Sequence, residues 1–384
     1  MSVDALAETL IPRLRATVAP SEAARRVTDD AVALLKAAGL IRLLAPARYG
    51  GQEDSPRAQI LANAMVAHGS AAASWVQMVC TAHTFILGRF PLACQDEVFG
   101  GDPDVLIPGT PASQGTCERA DGGLLVNGRW QFCSGVDHGR WILAGARGKT
   151  DAAGKKTPSM LVIMPITDLT VEDTWHVLGM RGTGSKDIVA DNIFVPVYRS
   201  VSVAAAFLGI VPGIESPLYR LPVAATLSAM GLGTIVGMAE AGLAEFLDQT
   251  RIRQEIYLPG AKANRAGLQM RVAEADTEIA LARTLLLRNC DLLEAAMRDT
   301  APMDTVARAQ VRWHSAYGAE LCRRAADRLY AAAGAHATFD ANPLQTFFRN
   351  INTVSHHAVV DFDSVAEMHG KALLGVEQSE PGLV

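Results

Sequence analysis

The feature that most constrains this 384-residue chain is a change of pattern in its middle third. From about 104 to 205, short apolar runs are punctuated by turn signals at Asp121-Gly122-Gly123, Asn127-Gly128 and Ser134-Gly135. Such punctuation predicts strands. Residues 124–132 (LLVNGRWQF) alternate around Asn127-Gly128, which predicts a hairpin turning at that pair. WILAGA (141–146), MLVIMPI (160–166) and DIVADNIFVPV (187–197) are further predicted strands. Helical patterns flank this stretch on both sides. Thr28, Asp29 and Asp30 cap a predicted helix carrying Val32, Leu34, Leu35 and Leu40, with Gly39 near its end. Residues 57–90 are Ala-rich and predicted helical, and residues 268–297 keep apolar residues at helical spacing for about eight turns. The predicted layout is a helical domain (1–103), a β-domain (104–212) and a C-terminal helical bundle (213–384): mostly α with a central β-domain.

Charge and cysteine usage exclude several function classes. Lys and Arg number 35 against 40 Asp and Glu, so no basic excess exists to neutralise phosphates, and nucleic acid is not an expected partner. Asp4 and Glu8 lie where a secretory signal would carry a basic then apolar segment, which argues against one. Six scattered cysteines (Cys80, Cys94, Cys117, Cys133, Cys290, Cys322) contain no CxxC pair and read as buried thiols of a reducing, cytoplasmic compartment. Leu221–Ala239 is uncharged and nearly long enough to span a bilayer. It opens with Pro222, is rich in small residues and runs straight into Glu240, so a core helix is expected and no membrane.

Several tempting motifs fail on context. Gly231, Gly233 and Gly237 lie inside a helical pattern, and Gly182-Thr183-Gly184 is followed by Asp187 where a third glycine belongs. A dinucleotide loop needs a strand-to-helix turn, so no nicotinamide site is expected. His356 and His357 are adjacent, and on a helix they would point about 100° apart, so no metal site is expected there.

The more specific signal is a set of segments in order. Trp130-Gln-Phe132-Cys-Ser134-Gly135 and Trp141 are followed by Leu178-Gly-Met-Arg-Gly-Thr183-Gly-Ser185 and the run IVADNIFVP. AAAGAHATFDANPLQTFFRNINTVSHH stands near the C-terminus, and LLKAAGLIRLLAPARYGG near the start. Together these resemble the acyl-CoA dehydrogenase superfamily over essentially the whole chain. More narrowly, they resemble its flavin-dependent monooxygenase branch, the oxygenase components of two-component aromatic hydroxylases. The resemblance implies a helical N-terminal domain, a middle β-barrel or sandwich and a C-terminal helical bundle. Dehydrogenases of this fold carry a catalytic glutamate about nine residues after an arginine that matches Arg349. Here that position is Ala358, and Asn350 stands where an aspartate is usual. The alternative reading is a dehydrogenase with FAD and a displaced glutamate.

In the monooxygenase branch, the matching residues take particular roles. The resemblance places a hydroxyl at Ser134 near flavin N5, a histidine at His357 (with His356 as its rival) near the oxygen-reacting face, and a substrate-facing histidine at His83. Trp130 and Phe132 would border the flavin, although strand aromatics are ordinary core residues too. Thr183 and Ser185 would contact flavin or substrate. Arg251, Arg253 and Arg349 are candidates for the flavin phosphate, some of them across a subunit contact. Some aromatic hydroxylases carry a second serine about 25 residues before the Ser134 position; here Gly109 and Thr110 stand there, on the substrate side. The implied cofactor is reduced FMN or FAD, supplied by diffusion from a separate NAD(P)H:flavin reductase, with O2 as cosubstrate. A flavin C4a-hydroperoxide would hydroxylate a phenol, indole or fused-ring aromatic. A homotetramer is expected, in keeping with the long apolar bundle helices after Leu221.

Overall fold

The structure, a computed structural model, describes residues 3–150, 154, 156–254 and 260–378. Six helices come first: α1 (Val3–Ala16), α2 (Val18–Ala24), α3 (Asp29–Ala37), α4 (Pro56–Gly69), α5 (Ala71–Leu87) and α6 (Leu92–Phe99). Side-chain oxygens start three of them. Thr28 accepts from the Ala31 N–H at α3, Ser55 from Ala58 at α4 and Ser70 from Ala73 at α5. Gly39 closes the segment after α3 with φ 70, a left-handed conformation that glycine adopts without strain.

Seven strands follow: β1 (Gly109–Ala120), β2 (Gly123–Cys133), β3 (Trp141–Gly148), β4 (Met160–Pro165), β5 (Thr170–Glu172), β6 (Lys186–Pro196) and β7 (Ser200–Ser202). They make one sheet in the order β5-β6-β2-β1-β3-β4-β7. All neighbours are antiparallel except β1 and β3. The β-domain expected between the helices is a single mixed sheet, with β5 and β7 at its edges. It gathers a core of its own around Trp130, Val126, Ile142, Ala144, Val162 and Ile188.

The hairpin expected at Asn127-Gly128 lies elsewhere. The chain reverses at Asp121-Gly122, and β2 runs unbroken through Asn127-Gly128. Asn-Gly forms a bulge here. The β2–β6 register slips between Val126 and Gly128, and Asn127 Oδ1 accepts the Asn192 N–H at 2.8 Å. Both dipeptides can reverse a chain; pairing with β6 decided which one does.

The chain ends in α7 (Val203–Leu208), α8 (Val223–Ile252), α9 (Ala266–Arg298), α10 (Thr305–Ala333), α11 (Pro343–Val354) and α12 (Phe362–Leu374). α8 is long and apolar enough to cross a membrane, but 94% of its most apolar window is buried inside the protein. Its glycines explain how. A Cβ on Gly233 or Gly237 would collide with the backbone of Ile60 or Ala64 on α4, so small residues let two helices touch backbone to backbone. One continuous core joins α4, α5 and the C-terminal bundle, and includes Phe85, Ile86, Met230, Leu286 and Leu329. Each such fully buried large side chain contributes roughly 1.5–3 kcal/mol. α5 is buried along nearly its whole length, with Val79 its one half-exposed residue. That makes it a rigid central rod against which loops from the sheet and from α11 come to rest.

Candidate active site

Three buried hydroxyls meet where the sheet touches the helices. Ser134, just after β2, and Thr183 and Ser185, just before β6, are all at most 3% exposed. The Ser134 and Ser185 Oγ atoms are 2.7 Å apart, and Ser185 Oγ lies 2.6 Å from Thr183 Oγ1. Thr183 Oγ1 donates to the Met180 carbonyl at 2.9 Å. The Gly135 N–H donates to the Thr183 carbonyl at 2.9 Å, which ties the two segments together.

The segment 178–185 is held from three sides. Met180 and Gly184 both adopt left-handed φ, 55 and 56. Gly179 backs onto the Arg349 carbonyl so closely that no Cβ would fit. Asn350 Oδ1 accepts the Met180 N–H at 2.6 Å. This gives a physical role to the residue that departs from the usual aspartate: a neutral amide oxygen caps a buried N–H. Arg349 donates to the Leu178 carbonyl at 2.6 Å and to Gln345 Oε1 at 2.5 Å, and pairs with Glu22 at 3.1 Å. From the α2 side, Gly182 rests against Ser21.

Beside the hydroxyls stands an uncovered aromatic. Phe132 has φ 64, a left-handed conformation rare for a bulky residue, and its side chain is 58% exposed. Its ring meets the edge of Trp175 at 6.1 Å, and Trp175 Nε1 donates to the Met180 carbonyl at 3.1 Å. Trp130 does not share this place. Its ring is fully buried over Gly115 and Gly128, and its Nε1 donates to the Gly145 carbonyl at 2.7 Å. The expectation that Trp130 borders a flavin is corrected: strand alternation turns it into the sheet's core, and the neighbouring Phe132 is the exposed ring. An exposed aromatic face next to a hydroxyl chain suits a flat heteroaromatic with a polar edge, which is the character of an isoalloxazine ring.

α5 backs the loops that carry these hydroxyls. Its Ala72 packs against Gly182, and Val76 against Gly135. Trp75 meets the His357 ring edge-on at 5.1 Å. Two turns further along the same face is His83, about 12 Å along the axis. His83 is 2% exposed, and its Nδ1 lies 2.7 Å from the Ile107 carbonyl. A carbonyl only accepts, so Nδ1 carries the proton and Nε2 of the neutral ring is the acceptor. Burial pushes this imidazole down to about 4, against the opposing pull of the Ile107 and Pro108 backbone.

His357 has the opposite tautomer. The Val359 N–H donates to His357 Nδ1 at 3.3 Å, so in the neutral ring Nε2 is the donor. Packing around the ring pushes it below the ordinary imidazole range, but the residue is exposed in its turn. Solvent therefore screens much of that effect. His356 and His357 were expected on a helix, but α11 ends at Val354 and both lie in the turn beyond it. The ring contact with Trp75 singles out His357. Ala358, where a dehydrogenase of this fold would carry its glutamate, is exposed in that same turn.

The remaining candidates separate. Gly109 opens β1 two residues after Ile107, which puts it and Thr110 near His83. Its φ of 127 and the adjacent Leu143 carbonyl leave no room for a Cβ, so this backbone cannot take the serine of some relatives. Thr110 Oγ1 accepts the Ala112 N–H at 3.3 Å. Arg349 is occupied with the 178–185 segment and Glu22, which corrects its reading as a phosphate ligand. Arg253 donates to the Ala333 carbonyl at 2.7 Å, at the end of α8 and α10, and has no contact with the hydroxyl chain. Arg251 pairs with Asp248 on the surface. Sequence reasoning missed Trp75 and the Ile107 carbonyl. Trp75, Val79 and His83 stand four residues apart, and that spacing was the available signal.

The order of helices, central mixed sheet and helical bundle is that of the acyl-CoA dehydrogenase fold. Residues 230–362 match the family described as acyl-CoA dehydrogenase, C-terminal domain. The chain is 30% identical over 375 residues to the oxygenase component of FADH(2)-dependent resorcinol hydroxylase from Rhizobium sp. (strain MTP-10005), covering 94% of this chain and 91% of that one. It is 32% identical to the oxygenase component of p-hydroxyphenylacetate 3-hydroxylase from Acinetobacter baumannii, covering 96% and 88%. The solved structure of XiaF from Streptomyces sp., in complex with FADH2 and glycerol, superposes with a TM-score of 0.90 at 27% identity, covering 98% and 97%. The chain belongs to the flavin-dependent monooxygenases of this superfamily, as the oxygenase component of a two-component hydroxylase.

Proposed function

We propose that this oxygenase uses reduced FMN or FAD and O2 to hydroxylate a small phenol, indole or fused-ring aromatic, with His83 and His357 in opposite hydrogen-bonding roles. The reduced flavin comes from a separate NAD(P)H:flavin reductase by diffusion. The observation that carries this reading is the pair of opposed tautomers along one face of α5. When bound, the flavin supplies the electrons that activate O2.

The residues of the chain then do the following. Phe132 gives the flavin an apolar face, and Ser134 with Ser185 and Thr183 gives its polar edge a hydroxyl. His357 Nε2–H, its ring held by the Val359 N–H and the edge of Trp75, donates to oxygen as negative charge develops. His83 Nε2 accepts the substrate's O–H or N–H. Held near 4, it is too weak a base to ionise a phenol in advance. It takes the proton as oxygen transfer makes the ring electron-poor and its hydroxyl strongly acidic. Gly109 and Thr110 flank that end and shape it for the substrate.

Arg253 is assigned to the flavin phosphate across a subunit contact in a homotetramer. Exposed Ile252, Met270, Leu281, Leu373 and Leu374 on α8, α9 and α12 favour such an assembly. A monomeric mass by light scattering would overturn it. A cytoplasmic setting is supported by six buried free thiols. The central test adds NADH and a generic flavin reductase to the pure protein with a panel of phenols, indoles and fused-ring compounds. Products one oxygen atom heavier, absent without the reductase, are expected. Peroxide as the sole product across the panel, or NADH consumption without the reductase, would sink the reading.

A further inference from the structure

The three hydroxyls at the site have only one proton arrangement that satisfies every contact. The Met180 carbonyl cannot donate, so the Thr183 hydroxyl proton must point to it. Thr183 then has no proton left for Ser185, so Ser185 donates to Thr183. Ser185 in turn has none left for Ser134, so Ser134 donates to Ser185. Reversing the chain would leave two acceptor oxygens, Thr183 Oγ1 and the Met180 carbonyl, facing each other at 2.9 Å with no proton between them. The Met180 carbonyl is fixed in place by two more donors, Trp175 Nε1 at 3.1 Å and the Thr183 N–H at 3.0 Å. The direction of the whole chain is therefore set at its far end. Among the described residues nothing donates to Ser134 Oγ, so that oxygen offers only lone pairs to whatever docks beside it.

We infer that Thr183 and Ser185 are positioning residues that lock the Ser134 hydroxyl as an acceptor, so that the site discriminates between the redox states of its flavin. The inference rests on the reading that the flavin docks with N5 at Ser134. Reduced flavin carries a proton on N5 and donates it to Ser134. Oxidised flavin presents a bare N5 lone pair to an oxygen whose own proton is already engaged. To donate to oxidised N5, Ser134 must give up its bond to Ser185, so one hydrogen bond separates the two states. The advantage falls to the arriving reduced flavin, and oxidised flavin is held more weakly after turnover.

The test is anaerobic titration of the full-length protein with oxidised and dithionite-reduced FMN, and likewise FAD. Ser185→Ala leaves Ser134 free to rotate and donate. It should tighten oxidised flavin about fivefold, the worth of one net hydrogen bond, and leave reduced flavin within about twofold. Thr183→Val keeps the volume but removes the anchor, so Ser185 can turn its proton to Ser134 and Ser134 its own to N5. The same sign is expected from this residue, two hydroxyls removed from Ser134. A packing role alone would weaken both redox forms together. Parallel weakening, or an unchanged ratio of the two affinities in both variants, overturns the polarity. Ser134→Ala separates the levels: it should weaken reduced flavin about fivefold and spare the oxidised form. If Ser134→Ala leaves reduced flavin untouched, docking of N5 at Ser134 fails. If it weakens reduced flavin while the other two variants keep the ratio of wild type, only the locked acceptor fails.

Discussion

The two ends of the α5 face hold a histidine each, and the protein treats them differently. His83 grows from the rod itself, fully buried, with its Nδ1 proton fixed on the Ile107 carbonyl. His357 comes from a turn after α11, leans edge-on against Trp75 and keeps an open side. One is an acceptor set in a rigid wall; the other is a donor carried by a turn. The difference teaches that the same side chain acquires its role from which ring nitrogen the backbone occupies.

The comparison breaks most sharply at His83. His83→Asn removes the Nε2 acceptor and should lower product formation about a thousandfold, within the usual range for a proton-accepting group. Oxygen consumption should continue and yield hydrogen peroxide instead. Equal product per oxygen consumed in variant and wild type would refute the role.

Acid stability probes the same contrast. Folded His83 sits near 4 against an ordinary 6.5. Below about 6.5 the unfolded chain binds a proton that the folded chain refuses, so stability falls with pH between 6.5 and 4. Its loss across that window should approach about 3 kcal/mol for His83. Denaturant unfolding at pH 7 and pH 4.5 should show a shallower loss in His83→Asn and a nearly unchanged one in His357→Asn, whose open edge softens the effect. The same slope in His83→Asn as in wild type would mean that burial of this ring does not govern acid stability.

At the donor end, His357→Asn should slow the reaction of the reduced, flavin-bound protein with oxygen on the order of tenfold to a hundredfold, with folding near normal. A core-filling role predicts the reverse, a lower melting temperature with turnover per folded molecule intact. Stopped-flow oxidation beside thermal melts decides between them. The smallest effect belongs to His356→Asn, since His356 shares the exposed turn with His357 but lacks its ring contact with Trp75. Oxidation within about twofold of wild type is expected, on the scale of ordinary surface substitutions. A crippled His356→Asn beside a healthy His357→Asn would exchange their roles.

Much of the architecture was legible because its signals are local. Thr28 and Gly39 bound α3 as cap chemistry predicts, and the run from 268 to 297 falls within α9. The small residues of α8 read correctly as close helix packing. Misreadings fell where two local signals competed. Asp121-Gly122 and Asn127-Gly128 both suit a reversal, and pairing with β6 chose the first. Trp130 and Phe132 both resemble site aromatics, yet alternation buries one, and a left-handed backbone at Phe132 exposes the other. Arg349 looked available for a phosphate until the fold brought Glu22 and Leu178 to it.

The sequence by itself determined the order of helix, sheet and bundle and the residue types able to serve a flavin. Periodicity, caps and motif order are properties of neighbours along the chain. Tertiary structure alone decided which of those residues meet and which way their protons point. Ser134 and Ser185 are 51 residues apart, and the Met180 N–H and Asn350 are 170 apart. A hydroxyl or an imidazole is donor and acceptor at once until a fixed partner takes one side. Those partners are carbonyls of Met180 and Ile107 and an N–H of Val359. Every residue carries such backbone groups alike, so nothing in the letters marks the three that matter; only the folded chain puts them beside the side chains whose chemistry they settle.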